Sequence, residues 1–156
     1  MRRFYSVLAW IVAGGVVVQA AAIAFGFGGM VGYIMDGGVV DEALMESRQS
    51  TFTGDLGFPI HAIVGGLLIP VVALALGTSS FFVRGLPRAK RWAWTVFGLV
   101  FLQIMVAYSI GEVPYLGALH GANALAILLA AIYTARLPSR ARQQVDADAS
   151  GSSVLV

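Results

Sequence analysis

Apolar residues fall into four long runs, at about residues 4–27, 57–82, 92–110 and 115–137, and the charged residues gather between them. At about 1.5 Å of rise per residue, each run is long enough, as a helix, to cross a hydrocarbon core of about 30 Å. The first run is interrupted only by Ser6 and Gln19. Small residues at Ala20, Ala21 and Ala22 imitate a cleavage site, but the run far exceeds the ~7–15 apolar residues of a secretory signal. It reads as an uncleaved first membrane helix, with Gly14 and Gly15 offering a close helix contact. Residues 28–56 form a long connection punctuated by Gly28, Gly29, Gly37 and Gly38. Within it, residues 41–48 predict a short amphipathic helix on the membrane surface, capped by Asp41 or a residue before it. Pro59 falls in the first turn of the second run, where its missing N–H costs little. Tight turns follow around Gly85 and Pro87 and around Gly111 and Pro114. The polar tail at 138–156 reads as disordered.

Composition strengthens this reading. The chain is 58% hydrophobic and 12% charged, with mean hydropathy +0.83, against about 25% charged in soluble domains. The expected fold is therefore all-α: an integral membrane four-helix up-down-up-down bundle in one domain, residues 1–137. Of the ten Lys and Arg residues, all except Arg48 lie at the N-terminus, in the second connection or around the end of the last run. The positive-inside rule then places both termini in the cytoplasm, in a multi-pass protein of the plasma membrane. Trp92 and Trp94 fit an aromatic belt on that side. The absence of cysteine excludes disulfides, thiolate metal sites and covalent haem attachment. A net charge of +2 makes no case for nucleic acid.

Candidate chemistry rests on the only two histidines, His61 and His120. Each follows a Leu-Gly pair near the start of its run, His61 after Leu56 and Gly57, His120 after Leu116 and Gly117. The two helices run in the same direction and are diagonal in the bundle, so both rings lie about 6–8 Å below the outer boundary. Gly65 lies four residues after His61; Gly117 lies three before His120, and Ala124 four after it. These small residues share the face of each histidine and would leave room for a flat macrocycle, though membrane helices also use them for packing. Ionisable groups inside a membrane are rare and point to function, the plainer alternative being interhelical hydrogen bonding. Zinc would require three or four ligands, whereas haem iron is satisfied by two imidazoles. The expected cofactor is therefore haem b, its iron held by His61 and His120, with Gly65, Gly117 and Ala124 beside it. Gln19, Gln103, Tyr108 and Asn123 are polar residues able to support such a site, and Arg48 a base able to neutralise a propionate. A weak internal repeat relates the two helix pairs, each closing on Leu-Pro and bases at Leu86 and Pro87, and at Leu137 and Pro138.

The stretch containing Leu102, Gln103, Gly111, Pro114, Leu119, His120 and Ala124 resembles the second helical hairpin of one half of the haem A synthase family. That resemblance implies a four-helix half with one histidine in its second helix and one in its fourth, positions matched by His61 and His120. Departures are plain. Only one half is present, Gly57 and Phe58 stand where the family's catalytic half carries a glutamate, and the outer-loop cysteine pair of some members is absent. The chain is also similar to small four-helix membrane proteins of bacteria and archaea with the same two histidines.

The expected role is that of a membrane b-type cytochrome, for electron transfer or haem handling, with a redox partner or larger membrane complex, or a second copy of the chain, as its associates. Two alternatives stand beside it. One is a cofactor-free membrane scaffold or accessory subunit. The other is a dimeric enzyme related to haem A synthase.

Overall fold

The computed structural model describes residues 1–47 and 49–153. Arg48 lies outside them. Among the described residues there are five helices: α1 Arg2–Met35, α2 Glu42–Ser47, α3 Gly57–Phe82, α4 Ala89–Ser109 and α5 Leu116–Ser153. Among the described residues there is no strand. α1, α3, α4 and α5 are the four helices long and apolar enough to cross a membrane.

The helices differ from the sequence expectation mainly in length. α1 continues eight residues past Phe27, to Met35. Of the glycines that suggested a break, Gly29 serves close approach instead: a Cβ there would overlap the Thr53 carbonyl oxygen, and one at Gly26, inside the expected run, would press on the Phe58 ring. The returning loop thus lies directly on the helix backbone. Phe58 meets both Phe27 and Phe52 edge-on, and Phe52 stacks on Tyr33. α5 likewise continues beyond Leu137, through Pro138, to Ser153. Proline removes one backbone bond, while the Ala, Arg and Gln residues that follow are good helix formers.

α3 is not a uniform helix. Between α-helical Gly57–Ile63 and Ile69–Ser79 it widens into a π turn, Val64–Leu68, where the Ile69 N–H reaches back to the Val64 carbonyl. Pro70 explains the widening. It has no N–H to donate, and its ring would press on the carbonyl four residues back in a regular helix. The signal was present in the sequence as Gly65 and Gly66 followed by Pro70.

In the first connection, Asp41 caps α2 by accepting from the Leu44 N–H at 2.9 Å. Asp55 holds the loop below it. A Ser50 hydroxyl hydrogen bond, followed by the Thr51 N–H, holds its carboxyl below the ordinary value of 3.8. These bonds favour the ionised form, so their contribution is complete above the ordinary carboxylate pKa and disappears as pH falls through the lowered one. An NMR titration is expected to find Asp55 below 3.8, and Ser50→Ala should move it upward; an unchanged midpoint in the variant would remove Ser50 from the account.

α1 packs along α3 and α5, and α4 bridges the other sides of α3 and α5. At one end of the bundle, the Tyr5 hydroxyl donates to the Ala89 carbonyl (2.9 Å) and the Ser6 hydroxyl to the Ala135 carbonyl (2.7 Å). The buried apolar cluster fills that half, drawing on residues 5–16 of α1, 69–76 of α3, 89–100 of α4 and 127–135 of α5. Tyr5, Val12, Leu76 and Val96 are its largest fully buried apolar members. The opposite half of the bundle, where α3 and α5 begin, contributes nothing to this cluster.

Candidate functional site

That opposite half contains both histidines. His61 stands in the second turn of α3 and His120 in the second turn of α5. The structure brings their rings together, with centroids 6.2 Å apart and planes inclined at 49°. Both rings are half-buried.

α1 orients the first ring. His61 Nδ1 lies 3.1 Å from the backbone carbonyl oxygen of Gln19. A carbonyl only accepts, so Nδ1 carries the proton and donates, which leaves the Nε2 lone pair of the neutral ring free for a ligand. The Gln19 side chain lies against Gly65, where a Cβ would collide with Gln19 Oε1. Its Nε2 is buried without a hydrogen-bond partner.

α4 positions the second ring through the backbone of α5. Gln103 Nε2 donates to the His120 carbonyl at 3.0 Å. Asn123, one turn on and only 6% exposed, donates through Nδ2 to Gln103 Oε1 at 2.6 Å and to the Leu99 carbonyl at 2.9 Å. Gln103 is thus held at both ends of its amide, and α5 is tied to α4 at the level of His120. Asn123→Leu keeps the branched side-chain shape but leaves the Leu99 and Gln103 acceptors without their donor. It is expected to lower unfolding stability by about 1–3 kcal/mol, and combination with Gln103→Leu should cost less than the two separate losses together. Strictly additive losses in thermal or denaturant unfolding would show that the two side chains do not act as one network.

The His120 ring itself is incompletely satisfied: Nδ1 is buried and has no partner. Two orphaned polar atoms, His120 Nδ1 and Gln19 Nε2, therefore belong to the residues that form and flank the histidine pair. Such a group costs about 1–3 kcal/mol when left unpaired.

The small residues divide into two kinds. Gly57 and Gly65 admit α1: a Cβ at Gly57 would overlap the Ala22 carbonyl oxygen, and the space beside Gly65 is filled by the Gln19 amide. Gly117 has nothing within 4 Å of its Cβ position and leaves open space, while Ala124 is half-buried against the apolar cluster. Tyr108 is 82% exposed and does not reach the pair. Among the described residues, no group of three or more His, Cys, Asp or Glu side chains could hold a metal ion, so the donor set here is two imidazoles.

Comparison with protein-family models, with curated proteins and with solved structures finds no match, and the site is therefore read from its own geometry.

Proposed function

We propose that this protein is a membrane b-type cytochrome that holds one haem between His61 and His120, for electron transfer or haem handling. The carrying observation is the ring separation. Two imidazoles on opposite sides of one iron, with bonds of about 2 Å and about 1 Å more to each ring centre, stand about 6 Å apart, and the centroids here are 6.2 Å apart. The Gln19 carbonyl supports the same reading, because it holds the His61 ring with Nε2 free, as the backbone carbonyl behind a metal-bound histidine does. His61 and His120 are the residues that would hold haem, and haem held there would supply one-electron chemistry. The chain's own contribution is to fix the two rings and to leave space at Gly117, in the half of the bundle that has no part in the apolar cluster.

In this reading the four spanning helices run up-down-up-down with both termini on the cytoplasmic side of the plasma membrane, and the pair lies near the outer leaflet. The arrangement is that of one four-helix half of the haem A synthase family, with haem binding retained and without the glutamate of the catalytic half. A redox partner or a larger membrane complex receives the electron.

One observation favours a second reading, a cofactor-free accessory subunit: packing of α1 already accounts for Gly57 and Gly65. An oxidised-minus-reduced absorption spectrum of the detergent-purified protein separates the two. Sharp reduced bands, with unmodified haem b on extraction and mass analysis, are expected. A folded but colourless protein from haem-replete cells sinks the haem reading and leaves the subunit.

A further inference from the structure

At the other end of the bundle, the turn joining α3 to α4 borders a cleft of about 320 Å³ lined by Val83, Gly85, Leu86, Pro87 and Lys90. α1 is tied to the same turn. Arg2 donates to the Arg84 carbonyl through Nε (3.2 Å) and Nη2 (2.9 Å), and its guanidinium lies against Gly85, whose φ of +72° suits glycine.

The charged residues of the turn itself are all of one sign. Arg84, Arg88, Lys90 and Arg91 lie within it or just beyond it, and no Asp or Glu occurs between Asp55 and Glu112 or before Asp36. α1, α3 and α4 therefore bring no acid to these cations. α4 also begins here, with no side-chain cap and no acid in its first turn. Its partially positive end meets Lys90 and Arg91 instead of the carboxylates that would suit it. The local electrostatics are adverse as they stand, and an anion in the cleft would offset them.

An apolar track leads away from the same place. Lys90 Nζ sits 4.9 Å from the centre of the Phe81 ring, Phe81 meets Trp94 at 6.2 Å, and Trp94 meets Phe97 at 5.4 Å. Phe81 and Trp94 are exposed on the outside of the bundle, where lipid chains would lie.

We propose that this cleft binds the phosphate group of a phosphate ester, carried by an anionic phospholipid whose chains follow the aromatic track. Lys90 supplies the charge from the cleft wall, Arg88 and Arg91 reinforce it, and Arg2 keeps the turn in shape. Basic pockets at the ends of membrane helices recognise anionic headgroups by this chemistry. A soluble phosphate ester shares the headgroup chemistry but makes no use of Phe81, Trp94 and Phe97.

Native mass spectrometry of the full-length protein in detergent tests the site, with phosphatidylglycerol and phosphatidylcholine of identical chains as probes and inorganic phosphate as competitor. Phosphatidylglycerol should be retained at least tenfold better than phosphatidylcholine. Lys90→Gln and Arg88→Gln should each reduce that preference several-fold, whereas Arg140→Gln, a base on α5, should leave it intact. Displacement of the lipid by millimolar inorganic phosphate would retain the phosphate site and make a soluble ester its source. Equal retention of the two lipids without phosphate binding would overturn the proposal. An equal loss in Arg140→Gln would do so too, since the preference would then follow total charge and not the cleft.

Discussion

His61→Ala and His120→Ala are each expected to abolish the reduced haem bands that the proposed cytochrome would show, while leaving its helix content unchanged. Either substitution would remove one of the two proposed donors, and the remaining imidazole has no third His, Cys, Asp or Glu group among the described residues to replace it. The fold should survive because neither ring belongs to the apolar cluster, which lies in the other half of the bundle. Haem occupancy should fall at least tenfold in each variant. Gln19→Ala provides a contrast: His61 is held by the Gln19 backbone carbonyl, which alanine retains, so its effect on the bands should be much smaller. Retention of both bands and midpoint in either histidine variant would end the bis-histidine assignment.

The second large effect is expected at Gly57. A methyl group there meets the Ala22 carbonyl and the Gly26 backbone, neither of which can turn aside as a side chain could. Gly57→Ala should therefore push α3 away from α1 and destabilise the protein by about 3 kcal/mol, the upper range for overpacking a close contact. The separation falls one turn from His61, so its bond to Gln19 should lengthen and the haem bands weaken in the same variant. Gly14→Ala, in the same α1 but with nothing within 4 Å, should not destabilise and should instead stabilise by about 0.5–1 kcal/mol through helix propensity. Thermal unfolding of both variants in one detergent measures the difference. Equal melting points would mean that α1 and α3 are not in close contact at Gly57.

The four spanning helices were legible because long apolar runs separated by charged turns leave little choice in a bilayer. The meeting of His61 and His120 was legible too, since it follows from equal depth on helices two places apart. Other features depended on contacts that no local pattern encodes. Gly29 read as a break in the sequence, yet it admits the loop at Thr53. Gly65 read as space beside a histidine, and its neighbour is Gln19, a residue more than forty positions away in the chain. The π turn at Val64–Leu68 had a local cause in Pro70, obscured because a proline inside an otherwise apolar run does not reveal whether a helix kinks, stops or widens. The cofactor is a different matter: two imidazoles at the right separation define a donor set, and a donor set does not name its occupant.

In the proposed membrane placement, with Gly57 at the edge of the hydrocarbon core, the histidine pair is shallow, and that depth would govern its response to voltage. His61 lies four residues from the start of α3 at Gly57, about 6 Å of helix rise in a hydrocarbon core of about 30 Å. An elementary charge crossing the whole membrane gains or loses about 2.3 kcal/mol per 100 mV. A charge reaching the pair from the near side traverses about one fifth of that field, worth about 0.5 kcal/mol per 100 mV. Exchange with that side would be nearly insensitive to the membrane potential, whereas a charge arriving from the far side would feel most of it.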